Sequence, residues 1–246
     1  MTRKEIKSIA KSKLKGRWFN IVLLTLIIAL IELGANEIIG RADGIVSTVL
    51  SLVNNFLLMP AITAAGIIYT IKFVKSDEVI PLGEAIPTAN TWGRFIMAML
   101  VTMIFSIPIW IFVFIANIIL VLSITSLHNA MLMGQSAINP VIALWGIILV
   151  MIIFVALLAI ILGILLFPLP YLMAEEDCGI WEAVKKSFSI MNGHRWKLFV
   201  MGLSFLGWIV LSLLTLGIGL LWLLPYIQVT LRIYYLSITG RENEIN

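Results

Sequence analysis

Residues 95–122, FIMAMLVTMIFSIPIWIFVFIANIILVL, and residues 141–173, VIALWGIILVMIIFVALLAIILGILLFPLPYLM, decide the fold of this chain. Between Phe95 and Ala174 there is no Asp, Glu, Lys or Arg. A hydrocarbon core about 30 Å thick takes about 20 apolar helical residues, each rising about 1.5 Å. The uncharged run is too long for one such helix, and the polar segment Ser123 to Pro140 divides it into two crossings joined by a loop. Composition agrees. Of the 246 residues 61% are hydrophobic and 12% charged, and the mean hydropathy is +1.08. A soluble domain is roughly a quarter charged, so a water-soluble single core is excluded.

Outward from that run, three more tracts lack charge. Trp18 to Ile31 is short and reaches spanning length only with Gly16 and Glu32 at its interfaces, whereas Gly44 to Ile71 spans with tilt. Leu198 to Leu231 as one helix would be about 50 Å long, and Thr215-Leu216-Gly217-Ile218-Gly219 at its middle reads as a tight turn. The expected fold is therefore all-α and polytopic, with six transmembrane helices as three hairpins in one domain, residues 1–246. The basic start and apolar run mimic a secretory signal. However, Glu32-Leu33-Gly34-Ala35-Asn36 offers no small-x-small cleavage pattern, and an uncleaved first span is expected.

Lys and Arg set the orientation. With the amino terminus inside, the inner face holds seven cations before the first span and Lys72, Lys75 and Arg94 after the second. Lys185, Lys186, Arg195 and Lys197 follow the fourth, and Arg232 and Arg241 come at the end. Only Arg41 is left outside. Both termini are expected on the inner side, with Tyr234 and Tyr235 as interfacial anchors. The net charge of +4 thus points to a membrane surface and no nucleic acid.

Three inner segments share a pattern: Glu5 to Gly16-Arg17-Trp18, Glu84 to Gly93-Arg94-Phe95, and Glu182 to Gly193-His194-Arg195-Trp196. A proline follows a leucine-rich run in each returning helix, at Pro60, Pro168 and Pro225. Pseudo-repeats over 1–75, 76–174 and 175–246 are expected, each an inner-surface amphipathic segment followed by a hairpin. The glycine would take a left-handed turn into the membrane. In the first copy Thr2 and Glu5 fit a capping box, and Ile6, Ala10, Leu14 and Trp18 form an apolar stripe. In the third, Ile180, Val184, Phe188 and Met191 do so. Pro81 and Pro87 shorten or break the middle helix. Lys7, Lys11, Lys15, Arg17, Lys185, Lys186, Arg195 and Lys197 are the expected contacts to anionic lipid of the inner leaflet.

On Lys4-Glu5-Ile6-Lys7, Gly16-Arg17-Trp18, Trp181-Glu182-Ala183, Asn192 to Lys197 and, above all, Gly207-Trp208 through Leu214 to Tyr226, the chain resembles the bacterial integral membrane proteins grouped as domain of unknown function 975. More distantly it is similar to the membrane domain of some glycerophosphodiester phosphodiesterases. The resemblance implies a bacterial cytoplasmic-membrane protein and brings no catalytic residues.

Polar residues within spans are few. Asn54 and Asn55 fall in mid-span, where an unpaired amide costs several kcal/mol, so they must face protein or water. They read either as interhelical hydrogen bonding or, with Asn117, as the polar lining of a substrate path. Glu175-Glu176-Asp177 precedes the third surface helix with Asp177 as its expected cap; three consecutive residues cannot all face one metal ion on a regular element. Cys178 reads as an ordinary thiol, His194 as an interfacial residue and His128 as part of the outer loop. No catalytic set, metal site or cofactor motif appears. The expected function is that of a non-enzymatic accessory or scaffold protein of the bacterial cell envelope, in contact with lipid and other membrane proteins. A transporter or lipid-moving protein is the alternative.

Overall fold

The computed structural model describes residues 1–134 and 138–245, and among them every regular element is helical. Ten α-helices run in order: α1 Arg3–Leu14, α2 Trp18–Arg41, α3 Gly44–Val53, α4 Met59–Lys75, α5 Ala89–Leu132, α6 Ile138–Leu165, α7 Leu169–Glu175, α8 Ile180–Ile190, α9 Arg195–Leu214 and α10 Leu220–Ile238. Five stretches are long and apolar enough to cross a membrane: Trp18–Arg41, Gly44–Lys75, Ala89–Asn129, Leu144–Glu175 and Arg195–Leu214. Among the described residues the protein is therefore all-helical, with five candidate membrane-spanning helices. Helix α10, expected as a sixth span, is outside that set.

The expected outer loop is corrected. Helix α5 continues through Ser123 to Leu132, and His128 is an exposed helical residue. Neither Gly, Pro nor charge interrupts residues 123–132. Ser123 Oγ donates to Ile119 O at 2.8 Å and Thr125 Oγ1 to Val121 O at 2.9 Å, so these polar side chains satisfy themselves on their own helix. Part of the expected loop, residues 135–137, lies outside the described residues.

Two compact units are formed, one of Met1–Met99 with Phe167–Asn246 and one of Leu100–Leu166. The second lies within the middle expected repeat. It is built from α5 and α6, with Phe112 against Phe154 at 4.0 Å between centroids. Most of its large apolar side chains are exposed, among them Trp110, Phe114, Trp145 and Ile152, as a surface solvated by lipid tails would be.

In the first unit α10 is central, touching α1, α2, α4 and α9. It buries Val229, Thr230, Arg232, Ile233, Tyr234, Tyr235 and Leu236. Tyr235 stacks on Tyr171 at 4.7 Å and Tyr234 packs on Phe167 at 5.9 Å; Tyr234 also donates to His194 O at 2.9 Å. The two tyrosines are core residues, which corrects their expected role as interfacial anchors. Helix α1 has the expected capping box, Thr2 with Glu5, and buries Ile6, Ala10 and Leu14.

The corners after α1 and α8 match each other. Gly16 and Gly193 both have φ +80°, and Arg17 N and His194 N each donate to the carbonyl three residues back. The middle segment is different. It holds one 3-10 turn, Leu82–Ala85, between Pro81 and Pro87, and Gly93 lies inside α5. The expected glycine turn is therefore absent there.

Candidate functional site

In the first unit, four charged side chains meet around Arg232, which is 0% exposed. Arg232 Nη1 and Nη2 donate to Glu175 Oε2 and Oε1 at 2.9 and 2.6 Å, a two-pronged bond that fits the planar guanidinium. The guanidinium also lies over the rings of Tyr171 and Tyr235, at 5.5 and 5.3 Å. Glu175 further takes Arg241 Nη1 at 3.0 Å and Lys75 Nζ at 3.1 Å. Glu244 takes Arg241 Nε at 2.6 Å and Lys75 Nζ at 3.0 Å. Three cations thus share two carboxylates, and among the described residues Arg232 Nε finds no hydrogen-bond partner. The last turns of α4 and α7, the middle of α10, and the 3-10 turn Glu242–Ile245 with Arg241 just before it supply the parts. Burial alone would raise Glu244, but the bonds from Arg241 and Lys75 outweigh it and hold the carboxyl below its ordinary value.

The other two residues of the acidic run turn to separate partners. Glu176 pairs with Lys186 at 2.5 Å and Asp177 with Arg94 at 3.1 Å. Asp177 is not the cap of α8, because Gly179 occupies that position. Among the described residues no group of three or more His, Cys, Asp and Glu is placed to hold a metal ion. Burial, then Glu176 and Glu182, push the Cys178 thiol up.

Two clefts flank α1. The larger, about 890 Å³, is lined by Met1, Lys13, Lys15, Arg17, Asp77 and Glu242 among others, and the Lys13–Asp77 pair closes to 2.7 Å. The smaller, about 370 Å³, runs between Lys11, Trp18, Trp208, Trp222 and Tyr226, with Thr215 and Gly219 also in its lining.

The eight cations expected on lipid divide. Lys11, Lys15, Lys185, Lys186, Arg195 and Lys197 are exposed, Lys186 in its pair with Glu176. Lys7 and Arg17 point into protein instead. Lys7 Nζ donates to Ser204 Oγ at 2.7 Å and sits 4.1 Å from the Phe205 centroid; burial, then Arg3 and Lys11, hold its pKa below the ordinary lysine value. Arg17 donates to Lys13 O at 2.8 Å and Ser76 O at 2.5 Å, and covers the Phe73 ring at 4.2 Å. It ties the end of α1 to the end of α4.

The second span is interrupted where the sequence drew attention. Residues Asn54–Leu58 form a π turn. Pro60 has no N–H for the carbonyl of Phe56, and its ring crowds that carbonyl, so the wider turn is a local solution. The Trp92 indole donates to Leu57 O at 3.0 Å, satisfying a carbonyl there. The two asparagines part company. Asn55, exposed, donates to Ser51 O of its own helix at 2.8 Å, rather than across to another helix. Asn54 Oδ1 is buried without a hydrogen-bond partner. Asn117 belongs to the second unit, is exposed, and donates to Val113 O at 2.8 Å.

The buried cluster escaped sequence reasoning. Its one signal is a lone arginine following a long uncharged tract and next to two tyrosines, since Glu175 looks like any charge at a helix end. No curated protein and no solved structure matches the chain, so the similarity to the phosphodiesterase-attached membrane domain gains no support. The family described as Protein of unknown function (DUF975) matches residues 1–242, and the chain belongs to it.

Proposed function

We propose that this protein is a non-enzymatic accessory or scaffold protein of the bacterial cytoplasmic membrane, working through a basic surface on the cytoplasmic side. The observation that carries the reading is the sidedness of α1 and of the α8–α9 corner. Helix α1 is held by Ile6, Ala10 and Leu14 while Lys4, Lys11 and Lys15 are exposed; α8 buries Ala183 and Val184 while Lys185, Arg195, Trp196 and Lys197 are exposed. Cations beside exposed tryptophan suit an anionic headgroup layer. In this topology both termini are cytoplasmic. The turn carrying Glu37, Arg41 and Asp43 faces outside, and α9 and α10 enter and leave by the cytoplasmic face. No nucleic acid, metal or cofactor enters the account.

The test is mild crosslinking in cells followed by capture of the full chain. It compares the natural protein with a variant carrying Lys11→Gln, Lys15→Gln, Lys185→Gln, Arg195→Gln and Lys197→Gln. A reproducible membrane partner, lost in the variant, supports the reading. Recovery of abundant bystanders from both overturns it.

A transport reading rests on Asn54, because a π turn with an orphaned amide oxygen is the kind of local irregularity that spans keep for a polar path. Cargo binding or movement in liposomes that disappears in Asn54→Leu/Asn55→Leu supports it; a loss of stability with no cargo dependence leaves the pair as structure.

A further inference from the structure

Two spans end at charged residues that mark a common level. Lys75 ends the stretch Gly44–Lys75 and Glu175 ends Leu144–Glu175, and both are joined to Arg232 through one ion cluster. From Arg232 back to Leu220, at the start of α10, the helix rises only about 18 Å, against about 30 Å of hydrocarbon. Lys7 gives the same answer from the other helix. Its bond to Ser204 and its place over Phe205 carry α1 across α9 about 15 Å before that helix ends at Leu214. The smaller cleft gives a third mark, for Lys11 and Trp18 at the α1–α2 corner share its walls with Thr215 and Gly219 of the hairpin turn. Helix α2, by contrast, runs on from Trp18 for about 35 Å to Arg41.

A full crossing by α9 and α10 would draw the Arg232 cluster and the exposed lysines of α1 into hydrocarbon, where every unpaired charge is costly. The turn itself is made for lipid. No Asp, Glu, Lys or Arg occurs from Leu198 to Leu231, and Leu213, Leu214, Leu216 and Ile218 are exposed, Leu216 at 95%. Its backbone is bonded internally: Thr215 N and Gly217 N donate to Ser212 O, Leu220 N to Gly217 O, and Gly219 N to Thr215 Oγ1 at 3.0 Å. Such internal pairing is what a chain turning inside hydrocarbon requires. The turn between α2 and α3, with Arg41 and Asp43, is of the opposite kind.

We propose that α9 and α10 form a re-entrant hairpin, which dips into the leaflet beside α1 and turns back within it, its partner being the acyl chains of that one leaflet. This replaces the fifth and sixth full crossings expected from tract length. For α10 the length was adequate only because the part beyond Arg232 was counted as membrane.

The test uses the full chain with Cys178→Ser and single cysteines at Asp43, Lys4, Leu216 or Ile218. Asp43→Cys should react with a membrane-impermeant maleimide in intact cells, and Lys4→Cys in inverted vesicles alone. Leu216→Cys and Ile218→Cys should react in neither and be labelled only in detergent. A bimane placed there should then be quenched in proteoliposomes by nitroxides on lipid chains. Labelling of Leu216→Cys in intact cells means the hairpin crosses and overturns the proposal. So does labelling in inverted vesicles, which places the turn in water, or protection without quenching, which places it in protein. The Ile218 variant decides if Leu216→Cys does not fold.

Discussion

Glu175→Gln should destabilise this protein more than Arg232→Met, although the two residues face each other in one pair. The carboxylate of Glu175 receives two bonds from Arg232, one from Arg241 and one from Lys75. Neutralising it leaves a fully buried guanidinium beside two further cations, Arg241 and Lys75, with Glu244 as the one carboxylate left to the three. Removing one partner of a buried pair in this way costs about 3–5 kcal/mol. Arg232→Met, in contrast, leaves Glu175 still held by Arg241 and Lys75. Methionine refills much of the space between Tyr171 and Tyr235, and the loss is that of charged hydrogen bonds, about 1.5–3 kcal/mol. The double variant Glu175→Gln/Arg232→Met should recover part of the Glu175→Gln loss, because the stranded cation is gone. The assay is unfolding of the purified full chain in lipid nanodiscs, followed by tryptophan fluorescence against denaturant. An Arg232→Met loss equal to or above that of Glu175→Gln, or a double variant worse than both, would refute the view that Glu175 is the hub.

Gly219 should not tolerate a methyl group, since a Cβ there would come within 2.9 Å of Ser212 Oγ and 3.0 Å of Ser212 Cα. Gly219→Ala should cost about 1–3 kcal/mol, and the same unfolding assay should show Gly202→Ala, at an unhindered helical site, to be neutral or better. Gly16→Ala and Gly193→Ala, both at φ +80°, should each lose about 1–2 kcal/mol, in contrast to Gly93→Ala inside α5. Glu244, held below its ordinary value of 4.5 in the folded chain, contributes stability that is present above that value and is lost as pH falls through the lowered one. Melting temperature from pH 7 to 3 should decline less steeply at the acid end in Glu244→Gln; identical profiles would remove Glu244 from the cluster's energetics. Asn54→Leu alone should be neutral or stabilising in the unfolding assay, because it removes a buried oxygen without a partner, and a loss above about 2 kcal/mol would show that the oxygen is bonded.

Hydropathy and turn chemistry made much of this architecture legible. The break at residues 215–219, the capping box at Thr2 and the glycine corners at Gly16 and Gly193 are local features, each written in a few adjacent residues. What tract length could not convey was where the bilayer cuts α10. Length lets α10 run on as membrane past Arg232, whereas its pairing with Glu175, 57 residues away, buries it in protein at the level where two spans end. Lys7 shows the same limit: its stripe with Lys11 and Lys15 fits a lipid-facing edge, yet only contact with Ser204 and Phe205 reveals that it faces α9. The helical continuation past Ser123 was hidden for a simpler reason. Serine and threonine read as loop residues by polarity, but in a long apolar helix they bond back to their own carbonyls. At the π turn the asparagines were visible; that one would turn inward and the other outward was not.

The claim on which the account rests is that both ends of the chain stay on the cytoplasmic side of a bacterial membrane. Green fluorescent protein, which fluoresces when folded in the cytoplasm, and alkaline phosphatase, which is active only when exported, fused in turn after Asn246, measure this most directly. The account predicts bright fluorescence and no phosphatase activity, with the reverse pattern for fusions truncated after Asp43. Phosphatase activity from the fusion after Asn246 would contradict it, and the basic surface, the re-entrant hairpin and the proposed scaffold role would fall together.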